Sequence, residues 1–261
     1  MNQQRIPGLA LGVYIDGRIA KAQGFGTANL EWDVPVRPDT LFQSASIGKQ
    51  FVATAVMMLV EEGKVGLDDS IQKYFPDSPE TWKPITVRNL LTHTSGLGEY
   101  ESEERTKPNG PFYLRLDFTE EELFKNITVM ALDSKPCERW SYRNTNYVLL
   151  GMLIQKVTGE FYGDFLQERI FKPLGMMNTR VISESDIIPH RAAGYRFDKG
   201  ELKNQEWVSP TFNSRADGAL YLTVLDLEKW DAALYTEKLV RESTKEQMWS
   251  PVVCAQGKKY N

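Results

Sequence analysis

The chain has 261 residues, 41% of them hydrophobic and 25% charged, with a formal net charge of −4, which suits one large domain or two intimate ones. The acidic balance, without a basic stripe, argues against nucleic acid or an anionic membrane as partner. With two cysteines, two histidines and neither CxxC nor HExxH, no disulfide framework, metal site or cofactor is expected, and Cys137 and Cys254 read as free thiols.

In chain order, LALGVYIDGRIAKAQGFG reads as a β-hairpin with Asp16-Gly17 as a type I′ turn. VPVRPDT is a proline-broken loop. A helix is predicted over 46–62, stopped by Gly63. It is apolar on nearly every side (Phe51, Val52, Val56, Met57, Leu59, Val60), so it belongs at the centre of the fold. LDDSIQKYFPDSP is a short helix or turn, ITVRNLLTHTSGLG a helix closed by Ser95-Gly96, and 100–118 a polar loop. Thr119 and Glu122 form a capping box opening the helix of FTEEELFKNITVMAL. WSYRNTNYVLLGMLIQKVTG is a loop feeding an apolar helix with Gly159 past its end. FYGDFLQERIF is an amphipathic helix, Thr223 caps a helix in DGALYLTVLDLEKWDAALY, and STKEQMWSP forms a short last helix. Two strands followed mostly by helix leave the hairpin short of partners. The N-terminal stretch has no signal-peptide character, and the longest apolar run, 51–60, is too short to cross a membrane. A soluble single domain over 1–261 is therefore expected.

Chemistry enters at Ser46-Ile47-Gly48-Lys49. A charged amine at the head of a buried helix costs free energy unless something uses it. An SxxK tetrad on a helix sets serine and lysine one turn apart on one face. The lysine can then take the hydroxyl proton, and the helix start favours a developing oxyanion. SxxK alone is a weak signal: Ser70-Ile71-Gln72-Lys73 fits it too, but in a polar, turn-rich stretch that reads as surface. Tyr142-Arg143-Asn144 adds a second element in a loop before a buried helix. A tyrosine beside a lysine can share the serine proton and return it to the leaving group. The asparagine amide can donate to and accept from an amide or ester.

With these residues in place, the chain resembles the serine β-lactamase and penicillin-binding-protein superfamily, in its class C β-lactamase-like branch. That branch holds class C β-lactamases, D-alanyl-D-alanine carboxypeptidases, D-aminopeptidases and family VIII carboxylesterases. The likeness runs through the opening hairpin to SASIGK, then ITVRNLLTHTSGL, YRNTNYVLLGMLIQKVTG, IFKPLGMMNT and DGALYLTVLDLEKW. It implies an α/β (α+β) fold, an antiparallel sheet with flanking helices plus an all-helical subdomain. It implies Ser46 as acyl-accepting nucleophile, Lys49 as its proton partner, Tyr142 as general base and acid, and Asn144 as the contact to the substrate amide. The Ser46 N–H would be one oxyanion donor, and His93 would hold its loop by hydrogen bonds.

Three departures from the family bear on this. After MWSPVV the family normally continues with further sheet strands and a closing helix, one strand carrying Lys-Thr-Gly, His-x-Gly or Trp-x-Gly and the second oxyanion donor. CAQGKKYN holds none of these. The C-terminal sheet strands are thus expected to be missing, with uncovered apolar surface, homo-oligomerisation or aggregation, and a loss of about 100- to 1000-fold in rate from the absent donor. Cys137 stands where the family usually has glycine, which strains the loop of Tyr142 if φ is positive there. Arg143 replaces a small residue and either points outward or crowds the cleft. The readings carried forward are a serine hydrolase acting on a small ester, β-lactam or D-amino-acid amide, and, against it, a non-catalytic fragment that binds ligand weakly or needs a C-terminal piece in trans. An acylation sensor is disfavoured, since it would need a membrane partner domain.

Overall fold

The computed structural model describes residues 1–183, 185–254 and 259–260. Strands β1 (Gly8–Ile15) and β2 (Arg18–Asn29) pair antiparallel, with Ile15 opposite Arg18. Asp16 and Gly17 both have positive φ, 51° and 68°, as a two-residue type I′ loop demands. β3 (Val34–Pro35) joins the other side of β2. The outer edge of β1 has no strand partner among the described residues. Burial alternates along β1. Tyr14 is half-buried and donates to the Val224 carbonyl at 2.5 Å, while Leu11, Val13 and Ile15 are exposed. These three form an apolar row on one face of the strand.

β4 (Phe42–Gln43) runs into a 3₁₀ turn, Ala45–Gly48, and then α1 (Lys49–Glu61). Gly63 follows at φ 69° and ends the helix. Phe51, Val52, Ala55, Val56, Met57 and Leu59 of α1 are buried, which is the central placement its all-round apolarity predicts. α2 (Val87–Leu91) opens on a capping box between Thr86 and Asn89. α3 (Glu103–Thr106) is a single turn in the polar segment. α4 (Glu120–Thr128) begins with the Thr119–Glu122 capping box. α5 (Asn144–Thr158) packs on α1 and ends at Gly159, φ 78°.

α6 (Tyr162–Leu166), a π turn over Gln167–Phe171 and α7 (Lys172–Leu174) complete one continuous helical stretch. Phe171 and Trp230 close on Phe51 with ring centroids 5.4 and 4.4 Å away. β5 (Arg180–Val181), the hairpin of β6 (Tyr195–Asp198) and β7 (Glu201–Asn204), and α8 (Pro210–Asn213) follow. β8 (Leu220–Leu222) lies between β4 and β5 in a second sheet. α9 (Val224–Leu234) is capped by the Thr223 hydroxyl at Asp226 N. α10 (Glu242–Trp249), β9 (Val252–Val253) and β10 (Lys259–Tyr260) end the described chain.

Two expectations are corrected here. The reading of two strands followed mostly by helix missed the β4–β8–β5 sheet and the β6–β7 hairpin. Strands of two to four residues are too short for alternation to register, and the wholly buried Leu220–Leu222 is indistinguishable from a helix fragment. The two cysteines are not free thiols. Cys137 and Cys254 form a disulfide, their Cα atoms 5.2 Å apart across a sequence separation of 117, a pairing that only tertiary structure creates. The stretch CAQGKKYN, searched for the third family motif, lies partly outside the described residues, which omit 255–258 and 261. No described helix is long and apolar enough to cross a membrane.

Candidate active site

The turn Ala45–Gly48 presents Ser46 to solvent, and Lys49 lies one turn further on, 6% exposed. Ala45 sits at φ 45°, an uncommon conformation for a residue with a Cβ. Gly218 backs against it so closely that a Cβ there would lie 2.9 Å from the Ala45 carbonyl carbon. Ser44 N donates to the Leu220 carbonyl at 2.7 Å, which ties the same turn to β8. The position of the Ser46 turn is thus fixed by a neighbour distant in sequence, one that must be glycine.

Lys49 Nζ donates to Ser46 Oγ at 3.1 Å, to Asn144 Oδ1 at 2.8 Å and to the main-chain carbonyl of Asp217. All its N–H groups have acceptors, which is how a buried ammonium is tolerated. Tyr142 Oη donates to Ser46 Oγ at 2.6 Å, and Lys49 Nζ lies 5.1 Å from the Tyr142 ring centroid. Ser46, Lys49, Tyr142 and Asn144 are therefore brought together in one hydrogen-bonded group. Its geometry holds Tyr142 Oη and Lys49 Nζ both within hydrogen-bond reach of the serine oxygen, where protons can be exchanged.

The loop carrying Tyr142 is braced by the ITVRNLLTHTSGL segment. Ser141 N donates to the His93 carbonyl at 2.9 Å and Cys137 N to the Thr94 carbonyl at 2.7 Å. His93 Nδ1 accepts from Arg143 N at 3.2 Å and lies 3.1 Å from Asn146 Nδ2. Since Nδ1 accepts, the ring proton is assigned to Nε2. Gly96, at φ 78°, approaches Ser134 so closely that a Cβ would meet its carbonyl oxygen at 2.2 Å. The Arg143 side chain turns to Asp133 at 2.9 Å, the outward alternative of the two. Cys137 has φ 61°, the positive value that its replacement of glycine raised as a strain. Ser70, the other SxxK serine, caps the 3₁₀ turn Ile71–Lys73 and donates to the Lys83 carbonyl. Lys73 pairs with Asp69 on the surface.

Burial, and next the nearby Lys49 charge, push His93 down to about 4. The ring is neutral when folded and, near an ordinary value of 6.5, protonates when unfolded. Its contribution to stability is complete above about pH 6.5 and is lost as pH falls toward 4, on the order of 3 kcal/mol in all. Urea titrations at pH 7 and pH 4.5 are expected to show a smaller loss in His93→Gln than in the parent, by about 2 kcal/mol. Equal losses would remove His93 as the source.

Sequence reasoning gave no role to Glu99, Glu101, Asp217 or Arg215. Glu99 accepts from Asn144 N at 2.8 Å at the start of α5, where a carboxylate suits the helix dipole. Glu101 accepts from Asn144 Nδ2 at 2.7 Å. Tyr100 Oη donates to the Asp217 carboxylate at 2.8 Å. Burial raises Asp217. Glu101 is an exposed rim residue whose carboxyl is nevertheless crowded by protein. It is pushed up to about 7 by lost hydration first, and then by Asp217 and Glu99. With Ser46, Asn144, Arg215 and Gly218, Glu101 and Asp217 line a cleft of about 290 Å³. The signal was present in the acidic GEYE after the TSGL turn and in the DG before ALYL, but neither has a spacing that specifies chemistry.

A solvent-facing serine at a helix head, hydrogen-bonded to a buried lysine and a loop tyrosine, is the arrangement that the family resemblance implies. The Beta-lactamase family model matches residues 1–254, and the chain belongs to that family. It is 32% identical over 253 residues to Penicillin-binding protein 4* of Bacillus subtilis (strain 168), covering 90% of this chain and 54% of that protein. An octameric penicillin-binding protein homologue from Pyrococcus abyssi superposes with a TM-score of 0.85 at 34% identity, over 100% of this chain and 61% of that one. D-amino acid amidase from Ochrobactrum anthropi SV3 gives 0.81 at 28% identity, over 94% and 71%. The chain thus spans little more than half the length of the first of these relatives.

Proposed function

We propose that this chain is a serine hydrolase acylated at Ser46, with Tyr142 as the proton acceptor and donor and Lys49 as the fixed charge that holds both. The observation that carries the reading is the convergence of Tyr142 Oη, at 2.6 Å, and Lys49 Nζ, at 3.1 Å, on one serine oxygen. In acylation the Ser46 oxygen attacks the substrate carbonyl, and Tyr142 takes the serine proton as it gives its own hydroxyl proton to the leaving group. In deacylation a water takes the place of that group and the transfers reverse. Incubation with a fluorophosphonate or a β-lactam, read by intact mass and mapped by peptide, is expected to give one adduct on Ser46. No adduct on folded protein would favour the weakly binding fragment over the enzyme.

Within the range of small ester, β-lactam and D-amino-acid amide, we favour an ester or amide of a D-amino acid with its ammonium free. Glu101, which accepts from Asn144 Nδ2, gives the Asn144 side of the cleft a carboxylate once it is ionised, and a solved structure similar to this chain is a D-amino acid amidase. An ammonium needs Glu101 ionised. As pH rises from about 5.5 to 7, below the range where the substrate amine itself deprotonates, KM for a D-alanyl ester is expected to fall. Glu101→Gln keeps an acceptor for Asn144 but removes the charge. It is expected to raise KM about 10-fold, flatten the pH dependence and close the gap in KM between the D-alanyl ester and its N-acetyl derivative. An unchanged gap would return the substrate to a neutral ester or β-lactam.

A further inference from the structure

We propose that the Cys137–Cys254 cross-link is a positioning device for Tyr142 that makes turnover depend on the redox state of this pair; the proposal rests on the hydrolase reading above. Residues 133–143, which carry Tyr142, contain no helix or strand. On the protein side they are held at few points, among them Asp133 N, Cys137 N and Ser141 N, which donate to the carbonyls of Gly96, Thr94 and His93. Residues 138–140, between two of these anchors, are exposed. From the other side the segment is held by the C-terminal strap. Cys254 bonds Cys137, and in the hairpin of β9 and β10 the Tyr260 hydroxyl reaches the Glu138 carbonyl at 3.5 Å.

Two further observations make the covalent bond matter. First, Cys137 lies at φ 61°, a conformation that is uncommon and mildly unfavourable for a residue with a Cβ. Opening the bond lets it leave that conformation, five residues before Tyr142. Second, a cavity of about 390 Å³ lies between Val252 and Val253 of the strap and Met57, Leu91 and Tyr147 of the body, beside Met248, which packs on the core. Packing is interrupted along that cavity, so among the described residues the cross-link carries more of the strap's position.

The step is an ordinary thiol–disulfide exchange. One thiolate of an external dithiol attacks Sγ of the partly exposed Cys137, and Cys254, which is 5% exposed, leaves as thiolate and takes a proton. The second thiol of the reagent then displaces Cys137. The protein gains two electrons and two protons, and the dithiol becomes a cyclic disulfide.

The test uses the full chain and a chromogenic ester, before and after reduction with dithiothreitol, with thiol titration confirming both freed cysteines. We expect kcat to fall about 10-fold while KM changes by less than about 3-fold, as for a displaced proton-transfer group, and to recover on reoxidation. Cys137→Ser with Cys254→Ser should show the low rate and ignore the reductant. Cys137→Gly with Cys254→Ser removes the backbone restraint problem and should regain only part of the rate. Amide exchange should rise over 137–144 and stay unchanged in α1 and α5. Two titrated thiols with kcat and exchange both unaltered would overturn the proposal, as would a rise in exchange throughout the molecule. If the oxidised protein hydrolyses nothing, the hydrolase reading fails. The exchange over 137–144 then decides alone whether the cross-link holds this loop.

Discussion

Ser46→Ala is expected to abolish hydrolysis and covalent labelling, while Ser70→Ala leaves both within about twofold. The two serines share the SxxK spacing, so the contrast tests tertiary placement and not the motif. Ser46 Oγ receives bonds from Tyr142 and Lys49. Ser70 Oγ is spent on a short turn and the Lys83 carbonyl. Removing an activated nucleophile costs on the order of 10⁶ in kcat where the surrounding site works as a unit. Loss of the Ser70 cap costs only about 1 kcal/mol of stability. Single-turnover labelling of both variants with the same phosphonate checks this. Loss of labelling in both would displace Ser46 from the role.

Tyr142→Phe is expected to slow acylation by about 10²- to 10⁴-fold with little change in KM. The substitution removes one oxygen and keeps the ring, which lies 4.5 Å from the His93 ring by centroids, so the loop is retained. Lys49 loses none of its acceptors, since Ser46 Oγ, Asn144 Oδ1 and the Asp217 carbonyl all remain. A large kcat effect in a variant with unchanged thermal unfolding therefore isolates proton transfer. A rate within threefold of the parent would make Lys49 the base and reduce Tyr142 to a wall of the cleft.

The sequence by itself determined the elements whose causes are local. Asp16-Gly17 specified the hairpin because few residue pairs adopt positive φ twice. Thr119 with Glu122, and Thr223, marked helix starts because their side chains satisfy nearby N–H groups. The unbroken apolarity of 51–60 placed α1 at the centre, and motif resemblance nominated Ser46, Lys49, Tyr142 and Asn144. Tertiary structure decided what depends on groups far apart in the chain. Lys49 Nζ donates to the main-chain carbonyl of Asp217, 168 positions away. Ala45 is held by Gly218. Cys137 meets Cys254 across a separation of 117. The acidic side of the cleft is assembled from the 99–101 turn and the 215–218 turn. Periodicity and capping report only on neighbours within a turn or two, whereas desolvation, close backbone approach and cross-linking act through space. For that reason the candidate serine could be nominated from the sequence, but the means of holding it could not.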